Sequence, residues 1–108
     1  MIASPGPPTA SRAGQVALVT GGSAGLGYAI AAALAGAGSD VVVASRSAAR
    51  CEQAADRLRS DTARDVRGVG CDVTDETAVQ QLVESILAEH GRLDVLVTSA
   101  WRAGPRRD

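Results

Sequence analysis

A chain of 108 residues with a formal charge of −1 at neutral pH holds at most one small domain. The near-balanced charge and a pI near 5.7 exclude a strongly basic nucleic-acid or anionic-membrane surface. Hydrophobic residues make up 45% of the chain, yet its aromatics are only Tyr28 and Trp101, so the core must be built from Val, Leu, Ile and Ala. The basic residues are all arginine; lysine does not occur. Cys51 and Cys71 are far apart, with no Cys or His nearby at ligand spacing. That pattern points to idle thiols in a reducing, cytoplasmic setting rather than to a metal site or a disulfide framework.

Residues 1–13 contain Pro5, Pro7 and Pro8 and no apolar run of signal-peptide length, and read as a flexible leader. Residues 14–98 then alternate strand and helix patterns. Val16 to Thr20 is an apolar strand. Residues 25–37 carry apolar side chains at Leu26, Ala29, Ile30, Ala33, Leu34 and Ala37, the rhythm of one helix face, with Gly36 and Gly38 as the stop. Residues 16–39 lack any charge, a length that could span a bilayer. The glycines at 21, 22, 25 and 27 break that run, so a buried strand, turn and helix are expected instead.

A second apolar strand is predicted over 41–44. Ser47 is positioned to cap a helix running to about Arg59, with Cys51, Ala54, Ala55 and Leu58 facing inward. A weaker strand follows over 66–71. Thr74 is the expected cap of a third helix, whose stripe is Val79, Leu82, Val83, Ile86 and Leu87 and whose end is Gly91. The acidic side chains of Asp75 and Glu76 suit that helix's dipole, and His90 suits its C-terminus. A fourth strand covers 93–98, and residues 99–108 form an irregular tail. Strands alternating with helices of this length predict an α/β fold, a Rossmann-type doubly wound parallel sheet with right-handed crossovers.

The turn after the first strand reads Thr20-Gly21-Gly22-Ser23-Ala24-Gly25-Leu26-Gly27. A strand, a glycine-rich turn and a helix start form the cradle that takes a pyrophosphate, because bare backbone can approach it and helix N–H groups point at it. The Thr-Gly-x3-Gly-x-Gly spacing resembles the short-chain dehydrogenase/reductase family, which uses NAD(P). The resemblance covers about 14–97 and corresponds to that family's N-terminal, cofactor-binding half. It implies that Gly21, Ser23, Gly25, Leu26 and Gly27 hold the cofactor.

At the end of the second strand a carboxylate would favour NAD through the ribose 2′-hydroxyl. This chain has Ser45 and Arg46 there and no acid before Glu52. A hydroxyl and a guanidinium suit a 2′-phosphate, so NADP is expected over NAD. The resemblance also implies that Asp72 and Val73, after the third strand, lie against the adenine. The fourth strand is similar to the family's, which normally runs into Asn-Asn-Ala-Gly. Here Thr98-Ser99-Ala100-Trp101 follows, with only Ala100 matching and an indole where a glycine leaves room beside the nicotinamide.

The family's chemistry uses a tyrosine, a lysine four residues later and a substrate-orienting serine. Tyr28 is followed at that spacing by Ala32, and no lysine is present, so no catalytic residue is assigned. His90 has no nucleophile arranged with it, so a hydrolase triad is not supported either. The leading expectation is the NADP(H)-binding portion of a short-chain oxidoreductase, cut short by a frameshift, an early stop or a misplaced gene end and inactive alone. The alternative is a short nucleotide-binding module without catalysis. The resemblance implies the sheet order 3-2-1-4 and places the family's oligomer-forming helices beyond this chain. The uncovered edge and face would then favour aggregation.

Overall fold

Strand β1 (Val16–Thr20) is buried along its whole length and is paired on both sides. The computed structural model describes residues 14–21 and 23–98, so the predicted leader, the predicted tail and Trp101 lie outside the described residues. Around β1 run α1 (Gly25–Gly36), β2 (Asp40–Ser45), α2 (Ala48–Thr62), β3 (Val66–Gly70), α3 (Glu76–His90) and β4 (Val95–Thr98). The sheet order is β3-β2-β1-β4 with every pair parallel, as expected. Among the described residues no helix is long and apolar enough to cross a membrane.

Alternation along each strand divides the core into two layers. Ala17, Val19, Val41, Val43, Val95 and Val97 face α1 and α2, where they meet Ala31, Ala35, Cys51, Ala55 and Leu58. Val16, Leu18, Val42 and Ala44 face the other way and meet Leu82 and Ile86 of α3. Full burial of a side chain such as Leu58 stabilises by about 1.5–3 kcal/mol.

The predicted inner face of α2 is the observed one: Cys51, Ala54, Ala55 and Leu58 are its buried residues. That of α1 is not. Leu26 is 72% exposed and Ala29 and Ala33 are exposed, while Gly27, Ala31 and Ala35 are buried. Nearly every residue of α1 is small or apolar, so no polar stripe marks its outer side. The narrow face packs because it brings the helix backbone close to the sheet. Helix α2 also runs past Arg59 to Thr62, ending on Ala63 in the left-handed region (φ 58°) without a glycine to announce it. The cap of α3 is Asp75 rather than Thr74. The Asp75 carboxylate accepts from the N–H groups of Thr77 and Ala78, while the Thr74 hydroxyl donates to Asp72.

Two contacts hold the elements in place. The carboxylate of Asp94, just before β4, accepts from the N–H of Val16 at 2.9 Å, and the Asp94 N–H donates to the Val16 carbonyl at 2.9 Å. Arg92 closes the same carboxylate with two further bonds of 2.8 and 2.7 Å. On the other side, Gly68 of β3 lies directly beneath α2. A Cβ there would overlap the Cys51 carbonyl and come within 2.6 Å of the Glu52 nitrogen.

The Arg92 hydrogen bonds first, and the Val16 N–H next, hold the Asp94 carboxyl below the usual carboxylate range. A depressed carboxyl contributes stability that is present above its unfolded pKa, about 3.9, and is lost as pH falls through its folded value. Asp94→Asn should therefore lower the thermal midpoint near neutrality, with the gap to the native chain closing under acid; a gap unchanged down to pH ~3 would remove the carboxylate from this role. For the glycines, Gly68→Ala should cost about 1–3 kcal/mol in urea unfolding through overpacking. Gly36→Ala, whose Cβ would meet nothing within 4 Å, should instead add about 0.4–1 kcal/mol.

Candidate functional site

Parallel strands end together, and the turns after β1, β2 and β3 meet at one edge of the sheet. Hydrogen bonds fix their levels: the Gly21 N–H donates to the Ala44 carbonyl at 2.7 Å, and the Cys71 N–H donates to the Ser45 carbonyl at 2.7 Å. In the first turn Gly21 (φ 74°) and Gly25 (φ 62°) are left-handed, a conformation only glycine takes without strain. A Cβ at Gly25 would meet no atom within 4 Å, so the space over the turn is open.

The N-terminus of α1 differs from the other two. Ser47 accepts from the Arg50 N–H at the start of α2, and Asp75 caps α3. The first residue before α1 is Ala24, with no side-chain cap and no acid in the first turn. Among the described residues no side chain caps that turn and no acid lies in it, so its N–H donors and the positive end of its dipole can face a group from outside the helix.

A cavity of about 320 Å³ lies between the three turns. It brings together six of the nine residues expected to bind the cofactor: Gly21, Ser23, Ser45, Arg46, Asp72 and Val73. Gly25, Leu26 and Gly27 are not in its lining; they form the adjoining first turn of α1. The Ser45 hydroxyl is held 3.0 Å from the Cys51 sulfur and accepts from the Ser47 N–H at 3.4 Å, which ties the turn to the root of α2. Asp72 folds the third turn: its Oδ1 accepts from the Thr74 N–H at 3.0 Å and from the Thr74 hydroxyl at 2.6 Å.

Four further lining residues were not assigned to the site from sequence: Ser47, Arg50, Cys71 and Thr74. Arg46 lies before the Ser47 cap, outside the helix, so its four-residue spacing to Arg50 carries no helical signal; only the place of Arg50 in the first turn of α2, beside the end of β2, points to the cleft. A larger, mostly apolar cavity of about 460 Å³ adjoins the first over β1, β4 and α3, and the two share Cys71 and Val73.

At the opposite end of the sheet Asp40, Asp65 and His90 bring ligand-type atoms within 4.8 Å of one another. Asp40 is paired with Arg64 at 3.1 Å, and Arg67 lies 4.0 Å from Asp65. The grouping is thus part of a network of ion pairs.

Burial, and then the charges of Asp72 and Asp75, push the Cys71 thiol above its ordinary value. Only the thiolate reacts with alkylating agents. Peptide mapping after iodoacetamide treatment should show Cys71 modified more slowly than an open thiol near pH 7, with a pH midpoint above about 8.5. Modification at the rate of an unhindered cysteine would contradict the packing described.

A four-stranded parallel sheet, a glycine turn opening on an uncapped helix, and a cleft at the carboxyl ends of the strands define a Rossmann-type α/β protein. The chain belongs to the short chain dehydrogenase family, whose model matches residues 15–106. It is 42% identical over 87 residues to a D-threitol dehydrogenase of Mycolicibacterium smegmatis, an alignment covering 81% of this chain and 33% of that protein. A short chain dehydrogenase/reductase of Macrophomina phaseolina is 40% identical, with 82% and 50% covered. Among solved structures, L-sorbose reductase from Gluconobacter frateurii, complexed with NADPH and L-sorbose, matches with a TM-score of 0.85 at 32% identity, over 92% of this chain and 38% of that one. The NADP complex of Pseudomonas aeruginosa RhlG matches with a TM-score of 0.79 at 38% identity, over 88% and 38%. The chain thus spans about a third of the length of D-threitol dehydrogenase and half that of the Macrophomina protein.

Proposed function

We propose that this chain binds NADP(H) in the cleft formed by its first three turns, as the cofactor-holding portion of a short-chain oxidoreductase acting on a carbonyl or alcohol. The observation that carries this reading is Arg46 at the mouth of the cleft, with no carboxylate at the end of β2 to receive a bare ribose hydroxyl. The complexes of L-sorbose reductase with NADPH and of RhlG with NADP support it.

The residues present fit the group. The left-handed glycines at 21 and 25, the space open above Gly25 and the uncapped start of α1 suit a pyrophosphate. Ser45 and Arg46 suit the 2′-phosphate, and Asp72 and Val73 suit the adenine side. When bound, NADP(H) supplies a hydride donor or acceptor. The chain's own residues bind and orient it, and they include no lysine to partner a catalytic tyrosine. Tyr28 is half-buried against the α1–α2 core layer, with the Arg57 guanidinium 5.2 Å from its ring centre, and so is committed to packing. The free thiols of Cys51 and Cys71 fit a reducing, cytoplasmic compartment.

That absence of lysine favours a second reading, a nucleotide-binding module without turnover of its own. Fluorescence titration of the purified chain should show tighter binding of NADPH than of NADH, and Arg46→Ala should reduce the difference by roughly tenfold. Equal affinity for both, unchanged by the substitution, would remove the NADP preference. Binding without turnover of carbonyl compounds is expected of the isolated chain. Steady NADPH-dependent turnover would show that it assembles a catalytic site from other residues.

A further inference from the structure

We propose that Arg50 is a second determinant of 2′-phosphate recognition, closing on the phosphate together with Arg46; this rests on the NADP(H) reading above. The inference comes from how the arginines are used. Among the described residues Arg59 pairs with Asp56, Arg64 with Asp40, Arg67 with Asp65 and Glu89, and Arg92 with Asp94. Arg57 lies over the ring of Tyr28. Arg46 and Arg50 alone have neither a carboxylate nor a ring partner among those residues, and both line the same cavity. Both arginines are exposed and border one cavity, so their guanidinium groups are available to a ligand there. A doubly charged phosphate between them uses the fork geometry of both.

The start of α2 fixes where Arg50 departs from the backbone. Its N–H donates to the Ser47 hydroxyl at 3.2 Å, and Ser47 in turn is bound to Ser45, so both arginines spring from one hydrogen-bonded turn. The acid in the cavity, Asp72, accepts through its Oδ1 from the Thr74 N–H and hydroxyl, which orients it toward the third turn. A single arginine would suffice to prefer a 2′-phosphate over a hydroxyl. A pair makes the preference depend on both and sharpens it.

The test uses adenosine 2′,5′-bisphosphate and 5′-AMP as probes, which differ by the 2′-phosphate, with calorimetric titration of the full chain. Arg50→Ala should weaken the bisphosphate about five- to twentyfold and leave 5′-AMP unchanged. Arg50→Lys should recover part of the loss, because charge returns without the fork. Arg57→Ala, on the same helix but outside the cavity, should change neither probe, and matching circular dichroism melts establish that the variants are folded. A bisphosphate preference that survives Arg50→Ala but falls with Arg46→Ala would overturn the role of Arg50 while leaving the NADP preference standing. A native chain that binds both probes equally would overturn the NADP preference, and this inference with it.

Discussion

Parallel pairing on both sides of β1 is the constraint from which the rest of the molecule follows. A strand that runs parallel to both its neighbours cannot be joined to either by a hairpin, so each connection must cross over the sheet, here as a helix. The crossovers supply the two core layers, and they return every strand in the same direction. The register places Thr20 beside Ala44, and Ala44 beside Val69, so the chain leaves the sheet at one level three times. A slip of one residue would turn Leu18 and Val19 to the wrong layers and carry Gly21 away from the Ala44 carbonyl. Core packing and the geometry of the cleft are therefore specified by the same pairing.

How much of this could be read from residue order depended on local contrast. The inner face of α2 was legible because apolar residues stand against charged ones there, and β1 because a short apolar run ends at a glycine-rich turn. The α1 face was not, since Leu26, Ala29 and Ala33 look no less apolar than the buried Gly27, Ala31 and Ala35. The end of α2 carried no glycine, and the cap of α3 lay one residue beyond the expected threonine because Thr74 is occupied with Asp72. Arg46, Asp72 and the glycine turn could be placed from their positions at strand ends. Asp94 and Gly68 could not, because their importance lies in contacts to Val16 and Cys51, distant in sequence.

The cleft is also only as well placed as the helix that forms its second wall. α2 rests on β3 at Gly68, where backbone meets backbone, and the Ser45 hydroxyl against the Cys51 sulfur joins that resting point to the turn carrying Arg46. Packing beneath the helix and charge above it are thus successive positions along a few residues.

The division of charge between the two ends of the sheet bears on how a ligand arrives. Asp40, Asp65 and Asp94, beside the first residues of β2, β3 and β4, are each matched to an arginine, so that end presents closely spaced opposite charges whose potentials cancel within a short distance. Arg46 and Arg50, which have no carboxylate ion pair among the described residues, stand at the other end, in the same lining as Asp72. On the NADP(H) reading, an approaching polyanion therefore meets its nearest available arginines at the cleft rather than at the paired end, an attraction that is strongest at low ionic strength.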